Sequence, residues 1–253
     1  MQNMEQKLAQ SLTAETTELI PYLPYLLQDL WALGSGPEDI KELIQKYIKV
    51  SPNTKILDLA CGKGAISVEL AKTFACKIKG IDIISEFIEY AQKKAKEYSV
   101  EELCEFTVED INQSVMYEKG YDIVILSDVG DVLGISVEAI LKLKSIVSSG
   151  GYILIADAYG KVSSGPDYPL REDWIKLFHD AGTRVIAEKM LDTSELAAIN
   201  KYNQNKITKR ANEMKRKYPD KAEMFEMYIR SQQAECDELE VDLTCVTWLL
   251  EVV

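Results

Sequence analysis

Three acidic residues punctuate the first half of this 253-residue chain, each closing an apolar run: Asp58 in "ILDLACGKGAISVEL", Asp82 in "IKGIDII" and Asp110 in "FTVEDI". After Asp58 come Gly62 and Gly64, and then a helical pattern begins. Glycines at such a turn let backbone come close to a ligand, and a helix N-terminus offers unpaired N–H groups. A phosphate would suit that cradle, but it would meet the like charge of Asp58. The run from Gly62 reads G-K-G-A-I-S, so the third glycine of the dinucleotide fingerprint is absent. Asp58 therefore asks for a ligand with positive charge. Asp82, 24 residues later, can accept hydrogen bonds from both hydroxyls of a ribose. Asp110, or Glu109 beside it, can accept from an exocyclic amine of adenine, with Ile83 and Ile111 flanking the ring.

These residues need a frame that brings them to one edge. Apolar runs read as strands at 55–59, 77–81, 104–108, 122–127, 152–157 and 184–189, with helices at 64–74, 85–98, 136–147 and 171–181. Runs such as "IVIL" and "YILIA" suit strands covered on both faces, and repeated strand–helix units imply a parallel sheet between helices. Gly150 and Gly151 make a sharp turn into the fifth strand. Upstream, residues 15–33 read as one helix carrying Leu19, Tyr22, Leu23, Leu26, Leu27 and Leu30, ended by Gly34. Pro37 suits the first turn of a second helix. Residues 192–238 read as two long helices split at Pro219, with Asp220 and Glu223 as a capping box for the second. A strand at 241–252 follows. If 184–189 is parallel, the helical pair starts at the carboxyl edge, where ligands bind in open α/β sheets. The expected parts are an N-terminal lid (1–50), a Rossmann-like domain (51–191 with 240–253) and a helical cap (192–239).

S-adenosylmethionine carries an α-ammonium and a sulfonium but no phosphate, which answers the charge of Asp58. The motifs, in this order, resemble those of class I S-adenosylmethionine-dependent methyltransferases. The resemblance rests on "DLACGKG", where Ala60 replaces the first glycine, on Asp82, on Asp110 in "VEDI", on "YDIVILSDVGDVL" and on "SSGGYILIADAYG". It covers about residues 50–190 and the last strand. It implies a doubly wound, mostly parallel seven-stranded sheet whose last strand is antiparallel. It assigns Asp58, Gly62 and Gly64, with Ala60 between them, to the methionine end of the cofactor. It assigns Asp82 to ribose and Asp110 to adenine, with Ile83, Glu109, Ile111 and Ser127 around them. Methyl transfer to a small-molecule acceptor is the implied activity. Two alternatives remain open, a non-catalytic S-adenosylmethionine binder and a nicotinamide oxidoreductase.

Asp128 and Asp131 follow the fourth strand, where a transferred methyl should lie, and are the candidate catalytic residues, able to orient an acceptor or take its proton. Asp157, Tyr159, Tyr22 and Tyr25 are candidates for acceptor binding. The plainer readings are a solvated carboxylate for each Asp and ordinary packing for each Tyr. His179 fits a helix C-terminus better than catalysis. Cys61 has no visible base.

With one histidine and five scattered cysteines, no metal-ligand spacing exists, and the thiols suggest a reducing cytoplasm. No apolar run reaches 18 residues, and the N-terminus lacks a signal-peptide core, so neither membrane nor secretion is expected. The net charge of −12 and the sequence "SDVGD" after the fourth strand argue against a nucleic-acid acceptor. Residues 201–221 hold eight Lys and Arg against two acids. They form either a solvated face or a source of cations for an anionic acceptor.

Overall fold

The computed structural model describes residues 4–34, 36–161 and 168–253. The chain opens with α1 (Met4–Ser11), a 3-10 turn (Thr17–Tyr22) that runs into the short α2 (Leu23–Leu26), and α3 (Pro37–Tyr47). The alternating part is β1 (Lys55–Leu59), α4 (Ala65–Phe74), β2 (Lys77–Asp82), α5 (Ser85–Glu97), β3 (Cys104–Val108), α6 (Ile111–Tyr117), β4 (Tyr121–Ser127), α7 (Val137–Ile146), β5 (Val147–Gly160), α8 (Arg171–Asp180) and β6 (Thr183–Met190). Two long helices, α9 (Thr193–Lys217) and α10 (Ala222–Val241), precede the closing strand β7 (Leu243–Val252).

The strands form one sheet in the order β3-β2-β1-β4-β5-β7-β6. β1 to β5 pair in parallel, and β7 is antiparallel to both β5 and β6. β6 therefore runs with the parallel strands, and the α9–α10 pair leaves from the carboxyl edge. The strand order reverses between β1 and β4, the switch point at which such sheets open a crevice. Side chains alternate across the sheet. Leu57, Val124, Ile153 and Trp248 pack on one face with Leu143, Trp174 and Phe178 of α7 and α8. Ile56, Ile125, Leu154 and Leu249 pack on the other with Ile40, Ile44 and Val68 of α3 and α4.

A third cluster joins the N-terminal segment to the cap. Leu19, Leu23 and Leu26 meet Ile207, Ala211, Met214, Phe225 and Tyr228, and the cluster rests on Phe87 of α5. Arg210 adds a two-pronged bond to Asp29, both N···O distances being 2.7 Å. No helix among the described residues is long and apolar enough to cross a membrane.

Several expected elements differ in detail. Residues 15–33 are not one helix: Pro21 lies in the 3-10 turn and Pro24 starts α2, and each removes a backbone donor. The apolar spacing reflects burial against the cap instead, since Leu19, Leu23, Leu26, Leu27 and Leu30 are all buried. The Asp220–Glu223 capping box does not form, because Pro219–Lys221 is a 3-10 turn and α10 begins at Ala222 with no side-chain cap. Gly150 and Gly151 lie inside β5, where its register with β4 shifts, rather than in a turn before it. The short helices α1 and α6 were not foreseen; α1 buries only Ala9 and α6 spans seven residues, too little for a clear apolar period.

Candidate active site

The turn after β1 leaves the sheet through three left-handed residues, Ala60 (φ 56°), Gly62 (φ 53°) and Gly64 (φ 72°). An alanine in that region is strained by roughly 1 kcal/mol. A Cβ on Gly64 would stand 2.8 Å from the Ala91 Cβ, so the glycine lets α4 pack against α5. Asp82 joins the first two turns. One carboxylate oxygen accepts from the Gly62 N–H at 2.8 Å and the other from the Ile84 N–H at 2.9 Å. Burial raises its carboxyl against those bonds. Asp58, 1% exposed, accepts from the Ser67 hydroxyl at 2.6 Å. Burial, helped by Asp82 nearby, pushes its carboxyl up to about 7 despite the Ser67 bond. Asp110 caps α6 by accepting from the Asn112 N–H at 2.9 Å, and Glu109 accepts from the Tyr117 hydroxyl.

Asp58, Ala60, Gly62, Asp82, Ile83, Glu109, Asp110, Ile111, Ser127 and Asp128 share one cavity wall. Met4, Leu8, Ser11 and Leu12, from α1 and just after it, close it together with Trp31 and Leu33. Gly64 is not on this wall. A residue that sequence reasoning missed holds the cover down. Lys63, the middle residue of G-K-G, is 3% exposed and donates to the Leu27 and Leu30 carbonyls, both at 2.6 Å. Its ammonium also lies 4.7 Å from the Tyr90 ring centre, and its own carbonyl accepts from the Trp31 indole N–H at 3.0 Å. Burial lowers it to about 8. Nothing in the local spacing points to partners more than thirty residues upstream.

A second cavity, of about 360 Å³, opens beneath α9 and α10. It shares Ser11, Leu12, Leu33, Gly34 and Asp128 with the first. Asp128 has φ 54°, a conformation Asp tolerates better than most residues, and accepts from the Ser127 hydroxyl at 2.6 Å. The chain passes so close behind it that a Cβ on Gly34 would fall 2.6 Å from the Asp128 Cβ. Asp157 accepts from the Ala158 N–H at 2.7 Å, and burial, with Asp128 adding to it, pushes its carboxyl up to about 7. Glu235 of α10, still open to solvent, accepts from the Thr13 hydroxyl, and partial desolvation raises it too. Asn200, Gln204, Tyr228 and Tyr168 complete the polar wall. None of these last four, nor Glu235, was marked by a motif; only the fold brings them to Asp128.

A family model described as a methyltransferase domain matches residues 50–233. The chain belongs to this methyltransferase family. The match runs through α9 and into α10, so the family pattern includes most of the cap. The ribosomal protein L11 methyltransferase of Dictyoglomus thermophilum is 34% identical over 125 residues, covering 47% of this chain and 40% of that protein. The ubiquinone biosynthesis O-methyltransferase of Actinobacillus pleuropneumoniae is 31% identical over 126 residues, covering 46% of this chain and 53% of that protein. The chain thus spans about half the length of the curated relatives it matches. An S-adenosylmethionine-dependent methyltransferase from Geobacter sulfurreducens, solved with S-adenosyl-L-homocysteine, superposes with a TM-score of 0.75 at 17% identity, over 90% of this chain and 96% of that one. The seven-stranded sheet with one antiparallel strand is the fold of these enzymes.

Within this methyltransferase-family chain Asp131, Tyr22, Tyr25 and Tyr159 fall outside both cavities. Asp131 has a side chain 67% exposed, and Lys7 of α1 binds its carbonyl at 2.9 Å, so it anchors the cover instead of facing the chemistry. Tyr22 packs edge-on against Tyr218 and Phe225 inside the third cluster. Tyr25 donates to Glu213 at 2.7 Å on the outside of the cap. Tyr159 is tilted against Trp248, with its hydroxyl on the Met190 sulfur. His179 is an exposed residue in the last turn of α8, and Cys61, on the wall of the first cavity, has its thiol raised by burial with Asp58 and Asp82 near it. No lysine or arginine of 201–221 lies on either wall. Arg210 pairs with Asp29 of the N-terminal segment, and Lys215 with Glu226 across the α9–α10 pair.

Proposed function

We propose that the chain is an S-adenosylmethionine-dependent methyltransferase whose acceptor is a small molecule bound in the second cavity. The observation that carries the reading is the meeting of two unlike cavities at Asp128: one floored by the glycine turn, the other roofed by α9 and α10. The first fits the cofactor in chemistry. Asp58 is a buried carboxylate with a single neutral side-chain partner, suited to the α-ammonium. Asp82 is suited to the ribose hydroxyls, Asp110 or Glu109 to the adenine amine, and Ile83 and Ile111 to the adenine faces. In this reading residues 1–50 act as the lid, 51–191 with 240–253 bind the cofactor and 192–239 cap the acceptor.

The bound cofactor supplies a methyl group already activated on a sulfonium, so the protein has little covalent work to do. Its residues hold two reactants in line and exclude water, which is where most of the rate comes from. Asp128, at the junction, orients the acceptor. Asp157, held near neutrality in its pKa, can take a proton from an acceptor that must lose one. An enclosed cavity favours a small acceptor over a protein, and the net charge of −12 weighs against nucleic acid.

Titration calorimetry with S-adenosylhomocysteine and with NAD on the purified chain tests this. We expect micromolar binding of the first and none of the second; binding of NAD alone overturns the reading. Radiolabelled methyl transfer to a panel of small acceptors then separates an enzyme from a non-catalytic binder.

A further inference from the structure

The charge on the wall of the second cavity has one sign. Asp128, Asp157 and Glu235 reach it from the ends of β4 and β5 and from α10, and no Lys, Arg or His stands among its described lining residues. Asp157 and Glu235 have neutral hydrogen-bond partners, the Ala158 N–H and the Thr13 hydroxyl, and neither forms an ion pair with a described residue. Asp157 is half-buried while Asp128 and Glu235 keep access to solvent, and three like charges on one wall favour the arrival of a cation.

An independent sign comes from neutral groups. Tyr228 is 2% exposed, lines the same cavity and has a hydroxyl with no hydrogen-bond partner. The carbonyl oxygen of Gln204, on the same wall, is also buried and unpartnered, although its amide nitrogen donates to Ile229. Orphaned groups of this kind are costly to bury, and a ligand that pairs with them is favoured. Carboxylate, amide carbonyl and phenol oxygens all accept hydrogen bonds. What the wall lacks is a donor with several N–H groups and a positive charge, and an ammonium has both. A metal ion fits less well, because no three His, Cys, Asp or Glu groups among the described residues converge to ligate one. Leu27, Leu30, Leu196 and Ile207 supply an apolar surface for a hydrocarbon body.

We infer that the second cavity takes an organic amine in its ammonium form, with Asp157 and Glu235 receiving the charge and Tyr228 and Gln204 completing the polar wall. The inference rests on the reading of this cavity as the acceptor site. It replaces the expectation of an anionic acceptor, because the cations of 201–221 are spent on Asp29, Glu213 and Glu226 or point away from the cavity.

Calorimetry on the full chain tests it, with phenethylamine and hexylamine against 2-phenylethanol, hexan-1-ol and 3-phenylpropanoate. Each probe is titrated with saturating S-adenosylhomocysteine and again without it. The expected result is that at least one amine binds tenfold or more tighter than its alcohol, and that the carboxylate does not bind. Asp157→Asn and Glu235→Gln should each weaken the amine at least tenfold while leaving nucleoside affinity unchanged. Tyr228→Phe, which keeps the ring in its packing and removes an unpaired hydroxyl, should weaken it less and raise the melting temperature of the ligand-free chain. The inference is overturned if neither amine binds, if an alcohol or the carboxylate binds as tightly, or if all three variants bind the amine like the parent. Amine binding without nucleoside binding would instead sink the cofactor reading alone.

Discussion

The first cavity draws its polar wall from the ends of β1, β2, β3 and β4, four neighbours in the sheet. The second draws on β4 and β5 but also on Thr13, on α9 and on α10, segments that lie far apart in the chain. In the first, each key carboxylate already has a partner supplied by an adjacent turn or helix: two backbone N–H groups for Asp82, one for Asp110, a hydroxyl for Asp58. In the second, buried polar atoms of Tyr228 and Gln204 have none. A site built from consecutive turns can be self-sufficient, because each turn caps the next. A site assembled from distant helices must leave polar groups for the ligand to complete.

That contrast can be broken most directly at Asp82. Replacement by Ala strips both the Gly62 and Ile84 N–H groups of their acceptor and removes the group suited to ribose. We expect S-adenosylhomocysteine affinity to fall about 100-fold, with a lower melting temperature. Amine binding measured without nucleoside should change less than about threefold. If both affinities collapse together in calorimetry, the two cavities are not independent.

Asp58 sharpens the contrast through pH. Its folded-state carboxyl titrates near 7, against about 4 when unfolded. Without ligand, the folded chain holds a proton that the unfolded chain releases, so this group's contribution to stability declines as pH rises from about 4 to about 7. An ammonium beside it needs the ionised form, so binding releases the proton below pH 7. S-adenosylhomocysteine affinity should therefore rise by up to about tenfold per pH unit approaching 7 and then level off. Asp58→Asn should flatten the slope. An unchanged slope in the variant would place the titrating group elsewhere.

The smallest expected effect is at Ala60. Glycine there relieves the left-handed strain but makes the unfolded chain freer, leaving a net gain of about 0.5 kcal/mol. Thermal unfolding of Ala60→Gly should show a rise of one or two degrees, and amine binding should not move. A loss of stability would mean that the alanine methyl makes a contact worth more than the strain.

The same contrast explains what could be read from residue order. The strands and the placing of Asp58, Asp82 and Asp110 at strand ends follow from apolar runs that each end in an acid, a local signal. Tyr22 and Tyr25 misled because helical spacing marks a buried face without saying what covers it; the cover is Phe225 and its neighbours in one case, and Glu213 with open solvent in the other. Asp131 misled because three residues past Asp128 the chain has already turned outward through Gly130. Glu235 and Tyr228 sit in an amphipathic helix indistinguishable from any other until its packing is known. Lys63 was hidden by its glycines, which drew attention to backbone alone.

Lys63 has a consequence for how the molecule moves. Its ammonium grips the Leu27 and Leu30 carbonyls, just past α2, while its own backbone lies in the floor beneath a ligand, so the floor and the covering segment are tied together. A ligand on Gly62 and the N-terminal arm therefore share one support, held through a single side chain and not through the sheet.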